Sequence, residues 1–192
     1  TKVPLVLDAD GLNCLSKAPN MLRAAAGPRI LTPHPGEAAR LLSCATAAIQ
    51  ADRRGAAEYL SQRYGAIVVL KGSGTVVSDG TKHYVNRTGN PGMATGGAGD
   101  VLTGLIGGLL AQHIAPFDAA VLGVHLHGLS GDLAAGKVGT HSLIAGDILA
   151  QSEHDPDAAC ILIATDGRLV ERVKQEVERQ LAAAPRREIM LQ

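Results

Sequence analysis

The run Asn90-Pro-Gly-Met-Ala-Thr-Gly-Gly-Ala-Gly-Asp100 gathers residue types that handle phosphate. Its glycines let backbone N–H groups approach a ligand closely and adopt positive φ. The apolar stretch behind it predicts a helix, whose N-terminus adds oriented donors and partial positive charge. A carboxylate at Asp100 would repel a simple anion. It fits if Asp100 takes a proton from a hydroxyl, or orients it, beside a bound phosphate chain.

Three further groups stand at the ends of predicted strands, where ligands bind in open α/β sheets. Asp8, Asp10 and Asn13 follow the apolar run Val3–Ala9. They are site candidates or, equally, residues of a solvated turn with Asx hydrogen bonds. His34 lies in Thr32-Pro-His-Pro-Gly-Glu37, where two prolines hold the chain extended. It is a rigidly presented functional group or simply an exposed histidine. Lys71-Gly-Ser-Gly-Thr75 follows the strand Ala66–Leu70 and offers amides, hydroxyls and charge to a nucleotide. Its lysine precedes the glycines, so it is not a Walker loop, and a plain β-turn explains the same residues.

The elements that must position these groups read as α/β. Val3–Ala9, Arg29–Thr32 and Ala66–Leu70 are unbroken apolar runs, as expected of strands covered on both faces of a parallel sheet. Val76–Ser78, the turn at Asp79-Gly80 and His83–Asn86 predict a hairpin leading into the glycine-rich run. Helices are predicted from Gly36 to Leu42, and from an Asp52 cap to a Gly65 stop with Ala56, Tyr59, Leu60 and Tyr64 on one face. Beyond Asp100, Gly104, Gly107, Gly108 and Ala111 give an otherwise apolar, buried helix one face of small residues, suited to close packing. Phe117–Gly136 predicts a second buried helix with a Leu122, Leu126, Leu129, Leu133 stripe. His125 and His127 on it point to different faces and read as core or partner-bonded, not as joint metal ligands. His141–Asp147 begins another helix. After about Ala150 the character changes: Ser152–Ala159 is polar, Cys160–Ala164 is a candidate strand, and Arg168–Ala184 is amphipathic along Leu169, Val173, Val177 and Leu181. Residues 1–150 therefore form the main domain and 151–192 a divergent tail.

The chain has 192 residues, enough for one sizeable core, and zero formal net charge. Balanced charge and few aromatics argue against nucleic-acid or membrane binding. The longest apolar stretch, Val101–Ala111, is too short to span a bilayer. Cys14, Cys44 and Cys160 show no CxxC spacing and read as reduced thiols, favouring the cytoplasm. The chain opens Thr-Lys-Val-Pro without Met and enters a strand at once, which predicts an N-terminally truncated domain.

Asp8-Ala-Asp-Gly-Leu-Asn13, Thr32–Glu37, Lys71–Thr75 and Thr88-Gly-Asn-Pro-Gly-Met-Ala-Thr-Gly-Gly-Ala-Gly-Asp100 occur together in this order. Over roughly Val3 to Leu149 the chain closely resembles the ADP/ATP-dependent NAD(P)H-hydrate dehydratases, the carbohydrate-kinase-like domain of bifunctional NAD(P)H-repair enzymes. Gly-Ala-Gly-Asp alone is shared with ribokinase-like kinases at large; the longer motif is more specific. The resemblance implies a ribokinase-like three-layer α/β/α fold with a mostly parallel central sheet. It also implies removal of water from hydrated NADH or NADPH at the expense of ADP, leaving AMP and phosphate, with Mg²⁺ as cofactor. Asp100 would be the catalytic base, with His34, Asp100, Asp10 and Asn13 on the hydrate. Lys71, Gly72, Ser73, Gly74, Thr75, Gly97 and Gly99 would hold the nucleotide, and the Gly96–Gly99 amides would stabilise the transferring phosphoryl group. A fused epimerase domain or a homo-oligomer is the expected partner. The alternatives are a ribokinase-like kinase of a small alcohol and a truncated, inactive nucleotide-binding module.

Overall fold

The computed structural model describes residues 2–24, 26–154, 160–162, 164 and 166–182. The chain divides into two compact units, Thr1–Thr88 with Gly99–Leu129, and Gly89–Ala98 with Ser130–Gln192.

The first unit is built on a five-stranded sheet in the order β1 to β5. Strands β1 (Leu5–Leu7), β2 (Arg29–Leu31) and β3 (Ile67–Leu70) run parallel. Strands β4 (Val76–Ser78) and β5 (His83–Val85) continue it as an antiparallel meander. Side-chain alternation gives the sheet two apolar faces. Leu31, Val68 and Leu70 pack against α1 (Ala9–Lys17), α2 (Pro35–Leu42), α3 (Thr46–Ala51) and α4 (Arg53–Tyr64). Ile30, Val69 and Val77 face the other way, onto α5 (Ala98–Ala111) and the first half of α6 (Pro116–Val138). This is the expected three-layer α/β/α arrangement. Helix α4 has its Asp52 cap, which accepts the Gly55 N–H at 2.8 Å, and its left-handed stop at Gly65.

Five local expectations change. Strand β1 is shorter than Val3–Ala9 and is an edge strand, so Val3 and Leu5 are exposed rather than covered. Asp10 and Asn13 lie within α1, not in a turn. Helix α5 starts at Ala98 and buries Leu102, Ile106, Leu109 and Leu110, while a Cβ added at Gly104, Gly107 or Gly108 would meet only open space. Its small-residue face therefore packs against nothing among the described residues, and Val101 is exposed. Leu122, Leu129 and Leu133 of α6 are exposed too; the buried residues of that helix are Ala119, Ala120, Gly123, Val124 and Gly128. On α4, likewise, Tyr59 is exposed although Leu60 and Tyr64 are buried.

The second unit comprises the glycine-rich loop with a 3-10 turn at Pro91–Met93, the end of α6, α7 (Thr140–His154) and α8 (Gly167–Leu181). The predicted stripe of α8 packs on α7, with Val173 fully buried and Gln180 donating to the Ser142 carbonyl at 3.0 Å. Cys160, Ile161, Leu162 and Ala164 form no strand, and most of the polar segment Ser152–Ala159 lies outside the described residues. No helix among the described residues is long and apolar enough to cross a membrane.

Candidate active site

The carboxyl ends of β1, β2 and β3 converge on one polar cluster. Asp8, just past β1, accepts a hydrogen bond from the Lys71 ammonium at 2.6 Å and from the Thr103 hydroxyl of α5 at 3.2 Å. A Cβ at Gly99 would stand 3.2 Å from both Asp8 Oδ2 and Lys71 Nζ, so the start of α5 passes directly over this ion pair. Burial alone would raise the Asp8 carboxyl. Lys71, with the Ala9 amide, outweighs it and holds Asp8 below the ordinary carboxylate range.

Past β2, Thr32 is fully buried and its hydroxyl donates to the Leu7 carbonyl at 3.1 Å. His34 is the N-cap of α2. Its Nδ1 accepts from the Gly36 and Glu37 amides, while Glu37 Oε2 accepts the His34 N–H at 2.7 Å. This reciprocal capping box satisfies donors that a helix start leaves open. The buried Glu37 carboxylate also lies 4.0 Å from Lys71 Nζ. His34, Glu37, Lys71, Asp8 and Gly99 thus form one continuous series of neighbours.

After β3, the Lys71 N–H donates to the Pro33 carbonyl at 2.8 Å, extending the β2–β3 pairing. Gly72 and Gly74 take positive φ values of 131° and 64°, and the Thr75 hydroxyl closes the turn on the Gly72 carbonyl at 2.9 Å. Arg53 of α4 donates to the Leu70 and Lys71 carbonyls at 3.1 Å each, fixing the loop from behind. Gly72, Ser73 and Gly74 are exposed, with Thr75 half-buried.

Asp100, in the first turn of α5, is exposed and makes no hydrogen bond or ion pair with any side chain among the described residues. Asp10 and Asn13 are engaged elsewhere: the Asn13 side-chain amide donates to Asp10 at 3.2 Å, and its Oδ1 accepts from Arg40. Their hydrogen bonds run to each other and to α2, not to the Lys71 cluster.

In the second unit, two carboxylates hold the glycine-rich loop. Asp132 of α6 accepts from the Gly89 N–H at 2.8 Å and the Asn90 amide at 3.1 Å. Asp147 of α7 accepts from the Gly96 N–H at 3.0 Å, so that amide is directed to a side chain rather than offered to phosphate. Gly97 has φ 81° with open space where a Cβ would stand.

Glu37, Arg53, Thr103, Asp132 and Asp147 were not picked out as site residues by sequence reasoning. Glu37 reads there only as a charge suited to a helix start. A capping-box pattern with histidine in the cap position was the signal available for it. The other four are residues of ordinary helical positions, and only the fold brings them to these loops.

Residues 1–177 match the family model described as NAD(P)H-hydrate dehydratase. The chain is 50% identical over 150 residues to the bifunctional NAD(P)H-hydrate repair enzyme Nnr of Moorella thermoacetica, covering 77% of this chain and 28% of that protein. It is 49% identical over 152 residues to the ADP-dependent (S)-NAD(P)H-hydrate dehydratase of Neisseria meningitidis, covering 77% of this chain and 51% of that one. Among solved structures it superposes on Bacillus subtilis YxkO with TM-score 0.65 and 30% identity, over 93% of this chain and 57% of that one. For the B. subtilis ADP/ATP-dependent NAD(P)H-hydrate dehydratase co-crystallised with ATP/Mg²⁺, the TM-score is 0.59 and the identity 28%, over 93% and 56%. The chain spans about half the length of the last three and under a third of Nnr. With a ribokinase-like fold and the family's model matched along nearly its whole length, this chain belongs to the NAD(P)H-hydrate dehydratase family.

Proposed function

We propose that the chain carries the nucleotide and hydrate site for ADP-dependent dehydration of hydrated NADH or NADPH, restoring the coenzyme with AMP and phosphate as products. The observation that carries this reading is the meeting of Gly99 with the Asp8–Lys71 pair beside the unengaged carboxylate of Asp100. Hydroxide leaves poorly and phosphate leaves readily. Phosphorylation of the hydrate's hydroxyl therefore prepares the elimination: the ring nitrogen's lone pair expels the phosphate, and the neighbouring ring carbon then loses a proton to solvent, which restores the double bond.

Asp100 accepts the hydroxyl proton during transfer, a role worth ~10²–10⁴-fold. The N-terminus of α5 favours the negative charge of the phosphoryl group. Gly72, Ser73, Gly74 and Thr75 present amides and hydroxyls to the AMP portion, with Lys71 at their base. Gly97 and Gly99 are assigned to the nucleotide, and His34, Asp10 and Asn13 to the hydrate, on the family motif. Among the described residues no three His, Cys, Asp or Glu side chains converge as a metal cage, so Mg²⁺ would be held mainly by the donor's phosphates. The ion would supply charge neutralisation for the donor's phosphates. ADP is favoured as donor by the Neisseria relative's dependence, an epimerase domain as partner by the bifunctional relatives, and the cytoplasm by cysteines without CxxC spacing.

The test is incubation of the chain with NADH hydrate, ADP and Mg²⁺ while NADH absorbance is followed. Recovery of absorbance with AMP as product supports the reading. Accumulation of a stable phosphorylated alcohol, or nucleotide binding without turnover, overturns it.

A further inference from the structure

The first turn of α2 does more than hold His34; it selects which ring nitrogen carries the proton. Two backbone amides, from Gly36 and Glu37, point at Nδ1 from 3.0 and 3.2 Å. Both are donors, so Nδ1 must offer its lone pair. In a neutral imidazole the proton then sits on Nε2. We infer that His34 is locked as the Nε2–H tautomer and meets the dinucleotide substrate as a hydrogen-bond donor to a substrate oxygen, not as acceptor of its hydroxyl proton. This rests on the functional reading above.

The local sequence is shaped to this end. Helix caps are ordinarily Ser, Thr, Asp or Asn, whose short side chains end at the helix they cap. Histidine caps equally through Nδ1 and carries a second polar atom outward, and the His34 side chain is 54% exposed. Pro35 confines His34 to extended backbone, and its φ of −77° and ψ of 166° are what an N-cap needs. Gly36 is required by the ring itself: a Cβ there would stand 2.9 Å from Cε1 and 3.2 Å from Nδ1.

Glu37 completes the device as a positioning residue. Its Oε1 lies 3.5 Å from Nε2, too far for a good hydrogen bond, and stands beside the nitrogen that the two amides leave to carry the proton. The Nε2–H is therefore oriented without being used up. With His34 a donor, proton acceptance from the hydrate falls to Asp100.

The first arm of the test is ¹⁵N NMR of the full chain labelled in histidine, in mildly alkaline buffer. His34 is assigned by the signal lost in His34→Asn. The expected pattern is Nε2 protonated and Nδ1 an unprotonated acceptor, with the Nε2–H signal moving when NADH hydrate is added. An Nδ1–H pattern, or an average of the two tautomers, overturns the inference. The second arm is His34→Asn by calorimetry. Asparagine caps α2 through Oδ1 but is too short to reach the place of Nε2. The melting temperature should hold while affinity for the hydrate falls roughly 3- to 10-fold and affinity for AMP stays. Unchanged hydrate affinity with the cap intact refutes the donor role. The Nε2–H pattern with a hydrate-induced shift but no dehydration refutes the functional reading and leaves this inference standing.

Discussion

Lys71 Nζ stands 2.6 Å from Asp8 Oδ1, so the ends of β3 and β1 are tied together across the end of the intervening β2. The side chains are 20% and 10% exposed, and a second carboxylate, Glu37, lies 4.0 Å from the ammonium. Lys71 is thus a cation with two carboxylates within 4.0 Å, at the base of the Gly72–Thr75 turn. Its charge ties these strand ends to each other and to the first turn of α2.

Asp8→Asn should expose this role through pH. The Asp8 carboxyl is held below its ordinary range, chiefly by Lys71 working against burial. A lowered carboxylate contributes stability that is present above the unfolded value of ~3.9 and is lost as pH falls through the lower folded value. At neutral pH the variant should lose about 1–3 kcal/mol, the usual cost of a buried polar group left unpaired. Thermal melts of both proteins across pH should show a constant gap above about pH 5 that closes in stronger acid. A gap independent of pH would separate Asp8 from the ion pair.

Asp100→Asn should act on chemistry alone. The side chain is exposed and bonds to no other side chain among the described residues, so its loss leaves packing intact. Turnover of NADH hydrate should fall ~10²–10⁴-fold, with AMP binding and melting temperature retained. Preserved turnover would remove Asp100 as the base.

The contrast between these residues shows what sequence makes legible. The strands, the α4 cap and stop, and the loops at strand ends follow from local rules of apolar runs, Asp caps and glycine stops. Asp8 was visible as a polar residue past an apolar run, but its pairing with Lys71 was not, because 63 residues separate them and parallel pairing is a nonlocal choice. Asp10 and Asn13 show the reverse error. A helix begins immediately after Asp8, and at 3.6 residues per turn it carries them onto the face that meets Arg40. The apolar stripe of α6 misled for a similar reason. Periodicity finds a leucine face, whereas the small residues Ala119, Ala120 and Gly123 are what let the helix approach its core.

Asp132 and Asp147 should govern the order of the glycine-rich loop. Asp147→Ala frees the Gly96 N–H, and amide exchange there should accelerate roughly 5- to 10-fold; Asp147→Asn keeps an acceptor and should retain protection. The Asp132 carboxyl is held low, first by the Gly89 amide and then by the Asn90 side chain. Protection at Gly89 should therefore persist through neutral pH and fail only below the ordinary aspartate value of ~3.9. Hydrogen exchange with residue resolution checks both. Equal exchange in the Ala and Asn variants would show that Asp147 does not anchor Gly96.

Glycine substitutions separate the buried and open faces of the helices in one measurement. At Gly128 of α6 a Cβ would stand 2.7 and 2.8 Å from the backbone carbon and oxygen of Thr88, whose hydroxyl donates to the His125 carbonyl at 2.9 Å. Backbone cannot yield as a side-chain tip does, and overpacking of this kind costs about 1–3 kcal/mol. That exceeds the ~1 kcal/mol alanine gains over glycine in a helix, so Gly128→Ala should lower the melting temperature. Gly104 and Gly107 of α5 have nothing within 4 Å of the same added atom. There helix propensity acts unopposed, and Gly104→Ala and Gly107→Ala should each raise stability by up to ~1 kcal/mol. Loss of stability at Gly104 or Gly107 would mean that this face of α5 is packed in the folded protein.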